Sequence, residues 1–150
     1  MKRFRVFALL FFLSGCASVI IPNYVKDEHP YQKTFYADFD AVSKAAVQTL
    51  MDLGWEVSMT GDPSVFEQSQ IKEGRQTLIF TEVRQTALFF ATRYARMNIY
   101  LRAGTGNTTD AELRYLTMTS LPFKGFNNYR NDRFAKKFFA HLEALLEPAK

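Results

Sequence analysis

Apolar residues recur at helical spacing in two stretches of the chain. The first stretch comprises Val42, Ala45, Ala46, Leu50 and Leu53. Asp38 and Asp40 precede it and Gly54 follows it, as expected of a helix start and a helix end, so the pattern predicts a helix from about 38 to 53. A second helix, over about 128–146, is predicted by Phe134, Phe138, Leu142 and Leu145, with Phe139 and Leu146 widening the apolar stripe.

Between the helices, apolar and polar residues alternate with the period of two that is typical of strands. Residues 55–59 form one predicted strand, and others are expected near 66–72, 76–84, 88–102 and 111–121, with turns at Gly74 and across 104–110. In the longest, apolar side chains at Ala95, Met97, Ile99 and Leu101 alternate with Tyr94, Arg96, Asn98, Tyr100 and Arg102. Such a strand has one apolar face and one aromatic and basic face.

The order of elements predicts an α+β fold. Two helices with one apolar face each, and a sheet with one apolar face to receive them, indicate a two-layer sandwich: an antiparallel sheet of four to five strands with both helices packed on one face. We expect this domain to span 34–150. Residues 16–33 contain two prolines and no regular period, which indicates a tether, although Val19–Ile21 and Tyr24 are apolar enough to dock on the domain.

Length and charge set broad limits on function. The chain has 150 residues, 47% hydrophobic, which is enough for one domain with a packed core. Its net charge is +4, but three of its 19 basic residues lie at Lys2, Arg3 and Arg5, and the remaining 16 face 15 acidic residues, a net charge of +1. Basicity concentrated at the N-terminus gives no reason to expect nucleic-acid binding.

The N-terminus has the three-part layout of a secretory signal peptide. A basic start is followed by an apolar run over 6–13 and by the small residues Ser14 and Gly15 before Cys16. The apolar run is shorter than the roughly 18 residues that a spanning helix needs, so cleavage is favoured over a permanent membrane span. The predicted signal peptide is 1–15.

The sequence Leu13-Ser14-Gly15-Cys16 resembles the lipobox of bacterial lipoproteins. This resemblance implies cleavage between Gly15 and Cys16 and acyl chains, such as palmitate, on Cys16, which would be the protein's attachment to a membrane. Ala17 stands where an aspartate commonly signals retention in the inner membrane, so the resemblance implies the periplasmic face of the outer membrane. The alternative is an ordinary signal-peptidase site, which would leave the chain's sole cysteine as a free thiol in an oxidising compartment.

The order of elements from Phe39 onward is also similar to helix-grip domains of envelope lipoproteins, such as the accessory lipoprotein of the β-barrel assembly machinery. The only local motif is an apolar helix that ends in Gly54-Trp55-Glu56-Val57. The resemblance implies a fold and transfers no function.

Candidate catalytic residues are scarce. The sole cysteine is assigned to the anchor, and the two histidines, His29 and His141, fall in the tether and in the last helix. Gly104-Thr105-Gly106 lacks the third glycine of a dinucleotide loop, and the carboxylates are better explained as cap and loop residues. We therefore expect no catalytic residues, no metal and no cofactor.

The aromatic and basic face of the longest strand is the best candidate for binding a partner. Tyr94, Arg96, Tyr100 and Arg102 should project from one side, with Arg84 and Arg114 on neighbouring strands. Tyrosine and arginine are enriched at binding hot spots, but they also solvate the open face of an antiparallel sheet.

These observations predict a lipid-anchored, non-enzymatic interaction or structural module of the cell envelope. Its partners would be the membrane, through Cys16, and another envelope protein or an anionic glycan. The alternative is a domain that binds a small apolar or glycan ligand in a groove between helix and sheet. An enzyme acting on envelope polymers is the weakest hypothesis.

Overall fold

The structure, a computed structural model, describes residues 19–67, 74–89, 91–120 and 127–147. The predicted signal peptide and Cys16 lie outside these residues. The elements in chain order are β1 (Tyr31–Phe35), α1 (Phe39–Asp52), β2 (Val57–Gly61), a 3₁₀ turn (Pro63–Val65), β3 (Gln76–Thr81), β4 (Arg84–Leu88), β5 (Ala91–Ala103), β6 (Thr109–Thr119) and α2 (Asp132–Leu146).

The predicted α+β class is confirmed. The strands that the structure describes form one antiparallel sheet in the order β1-β6-β5-β3-β2, and β4 pairs with β5. The sheet has six strands where the sequence predicts four to five. One of the additional strands, β1, begins at Tyr31 and pairs with β6, so the end of the predicted tether belongs to the sheet.

The second difference is a break between β3 and β4. The sequence predicts one strand over 76–84, but β3 ends at Thr81 and β4 begins at Arg84. Phe80 lies opposite Asn98 and Arg84 lies opposite Ala95. Phe80 and Arg84 are four residues apart, whereas their partners on β5 are three residues apart. One extra residue on one side is the property of a β-bulge, which the alternation of side chains does not reveal.

Local sequence explains where the helices begin and end. The Asp38 carboxylate accepts hydrogen bonds from the backbone N–H groups of Asp40 and Ala41 at the start of α1, and Gly54 takes a φ of 76° after its end. The second helix begins at Asp132 rather than near 128, because the Asn131 side chain caps it by accepting the N–H of Phe134.

The predicted strand over 66–72 is only partly described. A 3₁₀ turn precedes it, and Phe66 and Glu67 lie outside any strand, while residues 68–73 are outside the described part of the chain.

One face of the sheet packs against both helices. The buried side chains of this core come from both helices and from β1, β3, β5 and β6, and include Val42, Leu50, Ile79, Met97, Ile99, Leu101, Leu113, Phe138 and Leu142, each 0% exposed. The predicted apolar face of β5 therefore faces the helices. Its other face points away from the helices.

Candidate interaction face and the N-terminal strap

The aromatic and basic side chains of β5 lie on the sheet face opposite the helices, but they do not form one open surface. Arg96 is 7% exposed and Tyr100 is 4% exposed, whereas Tyr94 is half-buried and the Arg102 side chain is 27% exposed. This corrects the expectation that the four residues project together into solvent. Another segment of the chain therefore covers the middle of the face.

The cover is a segment without regular secondary structure over residues 22–25, which we call the strap. One terminal nitrogen of Arg96, Nη1, donates hydrogen bonds to the backbone oxygen of Pro22 at 3.0 Å and to Oδ1 of Asn23 at 2.6 Å. Its Nε donates to the backbone oxygen of Thr81 at 3.2 Å. The guanidinium thus binds backbone and side-chain oxygens of its own chain.

The strap continues across β5 at Asn98. The N–H of Val25 donates to Oδ1 of Asn98 at 2.5 Å, and both residues are 0% exposed. Tyr24 packs against Leu78, Phe80 and Tyr100, a small apolar cluster on this face. The predicted docking of Tyr24 is therefore observed, whereas the buried position of Val25 was not predicted.

Arg114 of β6 lies at the centre of a buried charge cluster. Its guanidinium contacts the carboxylate of Glu67, donates to Glu112 Oε2 at 2.9 Å and donates to the Tyr24 hydroxyl at 2.6 Å. The side chains of Arg114 and Glu67 are 5% and 7% exposed. Burial opposes the charge on Arg114, but the hydrogen bonds to Glu67 and Glu112 outweigh it and raise its pKa above the usual value.

The surroundings of two tyrosines in this region raise the pKa of their hydroxyl groups. Burial and the hydrogen bond that the Tyr24 hydroxyl donates to Glu67 raise the pKa of Tyr24 to about 12, although Arg114 acts in the opposite direction. Burial and the nearby carboxylates of Glu67 and Glu112 also raise the pKa of Tyr100. The Tyr100 hydroxyl donates to Gln76 at 2.6 Å. Neither phenol is available as a base at neutral pH.

One accessible part of the face lies beside β1. Arg102 pairs with Asp110 at 2.5 Å, and Thr34 donates to the same carboxylate at 2.7 Å. Together with Tyr100 and Glu112 they line a cavity of about 260 Å³ that also carries Gln32 and Lys33. Its wall is polar and carries both charges, as suits hydrogen-bonding ligands.

The sequence groups Arg84 and Arg114, on neighbouring strands, with this face, but the structure places the two side chains apart. Arg114 joins it, whereas the Arg84 guanidinium lies 5.5 Å from the ring centre of Trp55, a residue of the helix-side core. Glu67, which completes the cluster with Arg114, was not identified from the sequence, because it follows a turn and meets Arg114 only through the tertiary fold.

Neither histidine lies on this face. His141 Nε2 lies 2.8 Å from Oδ2 of Asp52, which joins the two helices at their surface, and His29 is exposed beside Asp27. Across 19–67, 74–89, 91–120 and 127–147, three or more His, Cys, Asp or Glu side chains nowhere group as metal ligands. In the same ranges, no helix has the length and hydropathy of a membrane span.

A second concave surface lies on the other side of β1, against α2. Tyr31 and Lys33 of β1 face Lys136, Phe139 and Glu143 of α2 across an open groove of about 440 Å³. Lys33 and Glu143 form an ion pair at 2.8 Å within it. The described interior between sheet and helices, by contrast, is filled by side chains such as Phe138 and Leu142.

Comparison with known proteins assigns no relative: no protein-family model matches the chain, and no curated protein is significantly similar to it.

Proposed function

We propose that the chain is a lipid-anchored lipoprotein of the cell envelope, which acts as a non-enzymatic interaction module facing the periplasm at the outer membrane. The lipobox-like Leu13-Ser14-Gly15-Cys16 and the absence of a second cysteine in the sequence support the anchor. Ala17 stands where an aspartate commonly signals retention in the inner membrane, which supports a location at the outer membrane. The scarcity of histidine and cysteine supports a role without catalysis.

The observation that carries the proposal is the strap. A lipid anchor on a loose tether would leave the domain free to move away from the bilayer, but residues 22–25 are bound to Arg96 and Asn98. Only six residue steps separate Pro22 from Cys16. At about 3.3–3.6 Å per residue they span at most about 22 Å, so the strap would lie within that distance of the acylated cysteine and the domain would stay close to the membrane surface.

A partner would contact the domain beside β1. Here Arg102, the polar cavity and the groove against α2 are accessible on the two faces of a single edge strand. A charged and hydrogen-bonding wall suits another envelope protein or an anionic glycan. The buried Arg96 has a structural role and is not part of the proposed contact, whereas Tyr100 contributes to it through the wall of the cavity.

The anchor is tested by intact mass spectrometry of the N-terminus together with detergent phase partitioning. The native chain should begin at acylated Cys16 and enter the detergent phase, and Cys16→Ala should abolish both. Ser14→Ala, which keeps a small residue in the lipobox, serves as the matched control and should remain acylated. A Cys16→Ala chain that is cleaved normally and still enters the detergent phase would refute the anchor.

The contact surface is tested by cross-linking the chain in membranes and recovering its partner. Arg102→Gln removes one of the two cations that line the polar cavity, and Arg133→Gln removes an exposed arginine of α2. We expect a marked loss of the cross-linked species only for Arg102→Gln. Equal recovery from both variants would remove this surface from the proposal.

The second candidate function is binding of a small glycan or partly apolar ligand, and the groove between β1 and α2 favours it. Phe139 offers an aromatic surface, and Lys33 and Lys136 offer donors to hydroxyl or acidic groups. Titration with soluble envelope glycans, read out by chemical shifts of Phe139 and Lys136, distinguishes this function. Shifts confined to other parts of the domain would exclude the groove.

A further inference from the structure

The hairpin formed by β4 and β5 ends in exposed apolar side chains. Pairing between the two strands reaches Leu88 opposite Ala91, and Phe89 lies in the turn. Phe89 is 91% exposed and Leu88 is 40% exposed. Large apolar side chains at a projecting turn are a recurrent property of surfaces that meet a membrane or a partner.

The hairpin projects beyond its neighbour in the sheet. Register pairing between β5 and β6 ends at Arg93 opposite Thr119, and Ser120 still binds Thr92, whose oxygen accepts the Ser120 N–H and whose N–H donates to the Ser120 hydroxyl. Among the described residues, Ala91 at the end of β5 is paired with Leu88 of β4 alone. Every residue of β4 is exposed. The tip is therefore accessible to a planar surface that approaches this end of the sheet.

The strap leads toward the same end. Its residues 22 and 23 lie at Arg96 and its residue 25 lies at Asn98, so toward lower residue numbers the chain runs in the direction of Ala91. From Arg96 to Ala91 is five residues of strand, or about 17 Å at 3.4 Å per residue. The span of about 22 Å available between Pro22 and Cys16 is long enough to reach the level of the tip.

The side chains around the tip suit a lipid surface. Ile20, between Cys16 and the strap, is 82% exposed and adds a third accessible apolar side chain. Arg93, two residues along β5 from Ala91, is exposed, whereas Arg84 lies at the other end of β4 against Trp55. Apolar residues with an arginine close by match a bilayer interface, where acyl chains lie beneath anionic headgroups.

We propose that Leu88 and Phe89 at the tip of the β4–β5 hairpin insert into the leaflet that holds the acyl chains of Cys16, giving the domain a second, non-covalent contact with the bilayer. This inference rests on the proposed lipid anchor. A tip inserted beside the anchor fixes the orientation of the domain and leaves the β1 edge turned toward the periplasm.

The experiment uses the single thiol that results from Phe89→Cys in the acylated full chain, since acylation consumes Cys16. An environment-sensitive fluorophore is attached at position 89, and the protein is reconstituted into phospholipid vesicles whose acyl chains carry bromine as a quencher. Thr105→Cys, labelled in the exposed turn at the other end of β5, is the matched control.

We expect the label at position 89 to be quenched severalfold more by brominated acyl chains than the label at position 105, and to be less accessible to iodide in the aqueous phase. Equal quenching at both positions in an acylated chain overturns the inference and leaves the anchor intact. Shielding of position 89 from iodide without quenching by lipid assigns the tip to a protein partner and also overturns it. A chain that takes a second label at Cys16 lacks acylation, in which case the anchor fails and the inference fails with it.

Discussion

The buried pair of Arg114 and Glu67 allows a quantitative test of how the sheet face opposite the helices is stabilised. In Arg114→Met, an unbranched apolar side chain replaces the stem of the arginine and the charge is lost. The Glu67 carboxylate, 7% exposed, then has no counter-ion from Arg114 and loses a charged hydrogen-bond donor. Among the described residues, it keeps the hydrogen bond that Tyr24 donates.

Removing one partner of a buried ion pair costs about 3–5 kcal/mol, because the remaining charge is left desolvated. That is a large part of the roughly 5–15 kcal/mol by which a domain is stable. Replacing both partners removes the uncompensated charge of Glu67, while the more exposed Glu112 loses Arg114 equally in the single and the double variant. The double variant Arg114→Met/Glu67→Met should therefore be more stable than Arg114→Met alone, with a coupling of about 1–3 kcal/mol.

The assay is urea denaturation of the four chains of this cycle, followed by fluorescence of Trp55, which is buried in the helix-side core. The matched control is Arg75→Met, which breaks an ion pair with Asp40 whose side chains are 65% and 71% exposed, and which we expect to change the midpoint very little. Additive effects in the Arg114 and Glu67 cycle, or a midpoint for Arg114→Met equal to that of the control, would refute the reasoning.

Two further predictions concern the strap and the helix pair. Asn98→Ala leaves the buried N–H of Val25 without an acceptor and should lower the free energy of unfolding by about 1–3 kcal/mol. Hydrogen exchange at Val25 should become faster, and unchanged exchange would contradict the docking of the strap. His141 lowers the pKa of Asp52 through their hydrogen bond, so its contribution is present above the ordinary pKa of an aspartate and is lost as the pH falls through the lowered value. His141→Leu removes this donor and should return the pKa of Asp52 part of the way toward the ordinary range in an NMR titration, since the hydrogen bond from Gln48 remains. An unaltered titration would rule out His141 as a cause.

The parts of the fold that were predicted correctly depend on neighbours in sequence. The spacing of Val42 and Leu50, together with Asp38 and Gly54, determines α1, because a helix satisfies its hydrogen bonds within one segment. The alternation along β5 likewise separates the face toward the helices from the face away from them. These patterns also predict the α+β class.

The parts that were not predicted depend on residues far apart in the chain. Alternation shows that Arg96 and Asn98 share a face, but not that residues 22–25 cover it, since the hydrogen bonds join residues more than 70 positions apart. Pro22 and Pro30 made this segment resemble a tether. A segment without regular structure can still be well packed when polar side chains such as Asn98 satisfy its backbone.

The strap also changes what a lipid anchor on Cys16 would mean for this fold. Arg96 and Asn98 are buried polar groups whose partners include the backbone of residues 22, 23 and 25, so the folded body contains the segment that leads to the anchor. A pull on the N-terminus would act directly on these hydrogen bonds. With the proposed anchor on Cys16, attachment to the membrane would therefore be coupled to completion of the sheet face opposite the helices. Asn98→Ala would then loosen the domain from that anchor as well as destabilise it.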